Sequence, residues 1–119
     1  MKNTILLFLV FFILGIPAML VGETVGIFFD SSEPQSSFAA GDVKVALESI
    51  GHSVEMNALS SLTPGYTNIK VVIALVSNES VTAVLTAQGG SIPSGLGEQA
   101  YGLRTTTNPG LSFWVLGGG

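Results

Sequence analysis

Lys70-Val71-Val72-Ile73-Ala74-Leu75-Val76 is the stretch that decides the fold. Outside the N-terminal leader it is the most hydrophobic strand-forming run in the chain, and it lacks an apolar–polar alternation. A strand of that composition is buried on both faces and central in its sheet. Upstream, Thr24-Val25-Gly26-Ile27-Phe28-Phe29 is a second apolar, β-branched run, closed by the polar cluster Asp30-Ser31-Ser32-Glu33-Pro34. That pattern predicts a buried strand followed by a turn. Between the two runs, Ala39, Ala40, Val43, Leu47 and Ile50 recur at helical spacing. Ser36 or Ser37 is placed to cap this helix, and Gly51 follows it where left-handed backbone commonly ends a helix. Ser53 to Leu59 alternates like a half-buried strand, and residues 60–68 form a loop with a turn at Pro64-Gly65.

Downstream of the central run, Asn78-Glu79-Ser80 suits a cap for a short helix marked by Val81, Val84 and Leu85 and ending at Gly89-Gly90. Residues 90–97 are expected to form a flexible loop. Tyr101 to Thr107, the turn Asn108-Pro109-Gly110, and Leu111 to Leu116 make a hairpin. The predicted order is β-α-β-β-α-β-β, an α+β domain in which a mixed sheet carries two helices.

The chain has 119 residues. Met1-Lys2-Asn3-Thr4, the apolar run from Ile5 to Ile16, and Pro17 before the small residues Ala18 and Gly22 follow the order of a secretory signal peptide. Residues 1–22 are therefore expected to direct export to a secreted or periplasmic location, and residues 23–119 to form one small domain. A complete catalytic barrel or a full dinucleotide-binding enzyme does not fit in that length. Lys2, Lys44, Lys70 and Arg104 face eight carboxylates, for a net charge of −4. Bases so few and scattered make no phosphate-neutralising stripe, so nucleic acid is excluded as a partner. No polybasic segment holds a membrane surface once the leader is removed. There are no cysteines, which excludes disulfides, thiolate–zinc sites and thiol catalysis.

No motif names a reaction, and no catalytic, cofactor-binding or metal-binding residue is assigned. His52, the one histidine, sits after Gly51 at a helix end, where its imidazole interacts with the helix dipole. Asp30 and Glu33 follow the first strand, where ligands approach an open α/β sheet, but neighbouring acids in a polar turn are ordinarily only solvated. Asp42, Glu48, Glu55, Glu79 and Glu98 are scattered surface or capping groups. Gly95-Leu96-Gly97-Glu98-Gln99-Ala100 has the spacing of a dinucleotide-binding turn, yet it precedes a strand instead of opening a helix. Tyr66, Tyr101, Phe113 and Trp114 are candidates for stacking on sugar rings, with core packing favoured. Phe113 and Trp114 are adjacent in a strand and face opposite sides, so at most one is expected fully in a core. Asn78-Glu79-Ser80 is also a glycosylation sequon in form.

Two segments carry a family likeness. Phe38-Ala39-Ala40-Gly41-Asp42-Val43 through Ala46-Leu47-Glu48-Ser49-Ile50-Gly51-His52-Ser53-Val54 is the first. The second is Leu96-Gly97-Glu98-Gln99-Ala100-Tyr101-Gly102-Leu103-Arg104-Thr105 with the ending Trp114-Val115-Leu116-Gly117-Gly118. They resemble the N-terminal domain of α-glucuronidases and the similar second domain of bacterial β-N-acetylhexosaminidases. The resemblance implies a zincin-like α+β sandwich without the metal site. It also implies a non-catalytic role, packing against a (β/α)8 barrel that bears the catalytic carboxylates and is not in this chain. Because the glycines at 117–119 stop where the family pattern continues toward the barrel, the chain is expected to be incomplete at its C-terminus and inactive alone. The alternative is a free-standing secreted carbohydrate-binding or interaction module, with Trp114 tested as part of a sugar platform. A third expectation, a flavodoxin-like enzyme using the Asp30–Pro34 loop, requires an all-parallel sheet.

Overall fold

The computed structural model describes residues 23–63, 69–97, 100–107 and 110–118. The leader, the Pro64-Gly65 turn, Tyr66, Glu98 and the Asn108-Pro109 turn lie outside the described residues. Among the described residues, seven regular elements follow the predicted order: β1 (Thr24–Phe29), α1 (Pro34–Ser49), β2 (Ser53–Ala58), β3 (Ile69–Leu75), α2 (Glu79–Ala87), β4 (Tyr101–Thr106) and β5 (Ser112–Gly117). A single 3₁₀ turn, Leu59–Ser61, follows β2. The five strands form one mixed sheet in the order β2-β1-β3-β5-β4. β1 runs parallel to β2 and to β3, and β3 parallel to β5. β4 pairs antiparallel with β5 as a hairpin, so the sheet is not the all-parallel one that the flavodoxin-like expectation requires.

The strand pleat sends alternate side chains to opposite faces, and each face has its own helix. On one face Ala39, Ala40, Val43 and Leu47 of α1 pack on Val25, Ile27, Val71, Ile73, Phe113 and Val115. On the other, Val81, Val84 and Leu85 of α2 pack on Phe28, Val72, Ala74, Trp114 and Leu116. This double cover explains the lack of alternation in the central run, because both faces of β3 are core. It also corrects one expectation: Phe113 and Trp114 point to opposite faces and are both buried, at 7% and 0% exposure. β2, at the sheet edge, is more open than a half-buried strand, and Met56 remains 39% exposed.

Helix boundaries follow local chemistry. α1 begins earlier than Ser36 or Ser37, with Glu33 in the N-cap position, no side-chain cap, and Pro34 opening the first turn. Proline suits that position because its φ is already helical and the N–H it lacks would have no helical partner. The helix ends at Gly51 with φ +98°, a conformation that glycine adopts without a Cβ clash. Asn78 caps α2 as expected, its Oδ1 accepting the Val81 N–H at 3.2 Å.

Gly117 and Gly118 are structural. Gly117 completes β5 and its carbonyl accepts the Val76 N–H at 2.8 Å, while Gly118 N–H donates to the Ala100 carbonyl at 3.0 Å. A Cβ on Gly118 would lie 2.7 Å from the Leu96 carbonyl oxygen and 2.8 Å from that of Gly97, so only glycine fits there. The 90–97 segment has no regular structure, yet it packs back on the sheet, with Pro93 against Gly102 and the Arg104 Nε–H donating to the Ser91 carbonyl at 3.0 Å.

Candidate functional site

The topology divides the sheet between β1 and β3. From the end of β1 the chain passes into α1 on one face and returns at β2, whereas from the end of β3 it passes into α2 on the other face and returns in the β4–β5 hairpin. Connections that part in this way leave a crevice beyond the carboxyl ends of the two strands. A cleft of about 270 Å³ occupies that position. Asp30 and Glu33 enter it from the turn after β1 and Ser36 from the first turn of α1. Ala74, Leu75, Ser77 and Asn78 come from the end of β3, and Leu59 from the 3₁₀ turn after β2.

The turn that presents the acids is built by Asp30 itself. Its Oδ1 accepts the Ser32 backbone N–H at 2.9 Å and the Ser32 hydroxyl at 2.6 Å, and its carbonyl accepts the Glu33 N–H at 3.1 Å. The hydroxyl bond first and the backbone bond second hold the Asp30 carboxyl below its ordinary pKa. Tyr101, at the start of β4, lies at the same end of the sheet, paired with Gly117 of β5. Burial chiefly, and then the negative charge of Glu33, raise its phenol above the usual value. The cleft thus joins two carboxylates, two hydroxyls and one carboxamide to an apolar floor, and no Lys, Arg or His is among its lining residues.

The other sequence candidates lie elsewhere. His52 precedes β2 and sits at the opposite end of the strands, beside the start of β1. It is 5% exposed, with Nδ1 3.3 Å from the Glu23 carbonyl oxygen and Nε2 buried without a hydrogen-bond partner. Glu48 pairs with Lys44 at 3.2 Å on the exposed side of α1. Gly95 and Gly97 lie in irregular backbone before β4, not at a helix N-terminus. Trp114 is no sugar platform: its ring is fully buried and its indole N–H donates to Thr106 Oγ1 at 3.0 Å. Lys70, one of the few bases, is buried rather than a surface charge. Its Nζ lies 3.4 Å from Gln88 Oε1 and 5.8 Å from the Trp114 ring centre, and burial lowers its pKa.

Sequence reading placed Asp30 and Glu33 at this edge but missed Ser36, Leu59, Leu75 and Ser77. The available signal was positional, since Leu75 ends the central strand and Ser77 follows it by two residues. Among the described residues no helix is long and apolar enough to cross a membrane, and no three His, Cys, Asp or Glu side chains come together as a metal-ligand set. No known protein family, characterised protein or solved structure matches this chain. Among the described residues, fold and site together define a small α+β domain with a mixed five-stranded sheet, two helices, and a small open crevice at its dividing point.

Proposed function

We propose that residues 23–119 are the non-catalytic N-terminal domain of a secreted carbohydrate-active enzyme of the α-glucuronidase or β-N-acetylhexosaminidase type. In this reading the domain is zincin-like without the metal, the leader exports the chain, and its partner is a (β/α)8 catalytic barrel lying outside these 119 residues. The observation that carries the reading is the likeness of Leu96–Thr105 and of the strand ending Trp114-Val115-Leu116-Gly117-Gly118 to those domains. The glycine-only site at Gly118 supports it, because a close backbone approach gives that ending a physical reason.

The side that faces the partner is suggested by α1. Phe38 and Val45 are 60% and 65% exposed and stand seven residues apart, on one outward stripe of the helix. Covering each removes only the part of its surface still exposed, a fraction of the roughly 1.5–3 kcal/mol for burying such a side chain in full, so the stripe favours a neighbour there over water. The coding DNA beyond codon 119 tests the reading. An in-frame continuation encoding repeated βα units is the expected result. A stop codon there, or hydrolysis of an aryl glycoside or aryl glucuronide by the purified chain alone, overturns it.

A further inference from the structure

We propose that the crevice between the carboxyl ends of β1 and β3 binds a neutral, hydroxyl-rich ligand of monosaccharide size, held by Asp30 and Glu33 over an apolar seat of Leu59 and Leu75. This site is separate from the α1 stripe and does not depend on the domain's having a barrel partner.

Four observations carry it. The crevice follows from the topology, because the connections after β1 and β3 leave toward opposite faces and neither helix covers the gap. Leu75 ends the central strand yet stays 38% exposed, lining the cleft beside Leu59 and Ala74 and across from its polar groups. An open leucine there offers the C–H face of a pyranose a contact that water does not.

The polar groups match hydroxyls, which both donate and accept. Asp30 Oδ1 is taken by Ser32, leaving Oδ2 with no hydrogen bond among the described residues, so a second acceptor is available. Asn78 spends its Oδ1 on the Val81 N–H, so its Nδ2 remains as a donor. Ser36 and Ser77 add hydroxyls of either sense.

Charge and size narrow the class. Two carboxylates and no base in the lining repel phosphates and sugar acids. A divalent cation lacks a full donor set, since no three acidic or histidine side chains meet among the described residues. A volume of about 270 Å³ lies just below the ~300 Å³ at which ligand pockets ordinarily begin, which limits the occupant to one sugar ring or one chain end.

The test is an amide NMR titration of the isotope-labelled full chain with neutral methyl pyranosides, in parallel with glucuronate, inorganic phosphate and methylammonium. The expected result is saturable shifts at Asp30, Ser36, Leu59, Leu75 and Asn78 with at least one neutral sugar. The affinity should fall about tenfold, or ~1.4 kcal/mol, in Asp30→Asn and in Leu75→Ala. Asparagine keeps an acceptor for Ser32, and Leu75 is partly exposed, so a dispersed spectrum of either variant shows that folding is intact. The proposal is overturned if no neutral sugar saturates these residues. It is equally overturned if an anion or methylammonium binds as tightly, or if both folded variants bind like the parent. None of these outcomes bears on what the DNA beyond codon 119 encodes.

Discussion

Trp114 is the only tryptophan in the chain, so one residue reports directly on the core beneath α2. Its ring is fully buried among Phe28, Val72, Leu85 and Leu116, and its N–H donates to the buried Thr106 hydroxyl at 3.0 Å. Trp114→Phe keeps most of the ring but loses that bond and some volume. A net hydrogen bond contributes ~1 kcal/mol, and leaving Thr106 without its donor adds to the loss, so the expected cost is about 2 kcal/mol. For a domain of roughly 100 residues that lowers Tm by about 8–16 °C. Trp114→Ala should cost ~3–5 kcal/mol in packing alone, a large share of the ~5–15 kcal/mol typical of a folded domain. Urea melts of the parent, Trp114→Phe, Thr106→Val and the double variant measure the pair directly, with a coupling of ~1 kcal/mol expected. Fluorescence of the parent should be blue-shifted and protected from acrylamide. Water-exposed emission, free quenching, or a Trp114→Phe variant as stable as the parent would refute the buried placement.

Two glycines should respond in opposite directions. Gly41→Ala, inside α1 with open space where its Cβ would stand, should raise stability by ~0.5–1 kcal/mol. Gly118→Ala drives a methyl into the Leu96 and Gly97 carbonyls and should cost ~1–3 kcal/mol, both read by thermal melts. Asn78→Ala removes the α2 cap and should lower stability by ~1 kcal/mol, with faster amide exchange in the first turn of that helix. Burial holds the Lys70 pKa below its ordinary value of 10.5. The unfolded chain therefore binds more protons between the folded value and 10.5, and stability from this group rises with pH across that window. Lys70→Met should abolish that rise, seen as a difference between parent and variant in urea melts repeated along the alkaline range. An identical pH slope in both proteins counts against a perturbed Lys70.

Periodicity makes the element order legible in the sequence: helical spacing from Ala39 to Leu47, an unalternating run at residues 70–76, and a turn-linked pair at the end. These are local signals, set by residues within one or two turns of each other. Glycine at 51 and asparagine at 78 announced a helix end and a helix start for the same reason. The start of α1 was misplaced because a proline in the first turn can stand in for a side-chain cap, and serine at 36 or 37 offered a stronger but unused signal.

The candidate site was legible only in part. Asp30 and Glu33 were visible as acids after a strand, but nothing local distinguished them from a solvated turn. Their meaning came from Leu59 and Leu75, which belong to other elements and reach the same cleft. Likewise Lys70 counted as one more base until the register set it opposite Ser112, beside Trp114 and under Gln88. By itself the order of residues determined where strands and helices form, because hydrophobic period and backbone preference act over short spans. Which helix covers which face, and hence where the sheet parts and leaves a crevice, was decided by the tertiary structure, because those choices depend on burying apolar surfaces far apart in the chain.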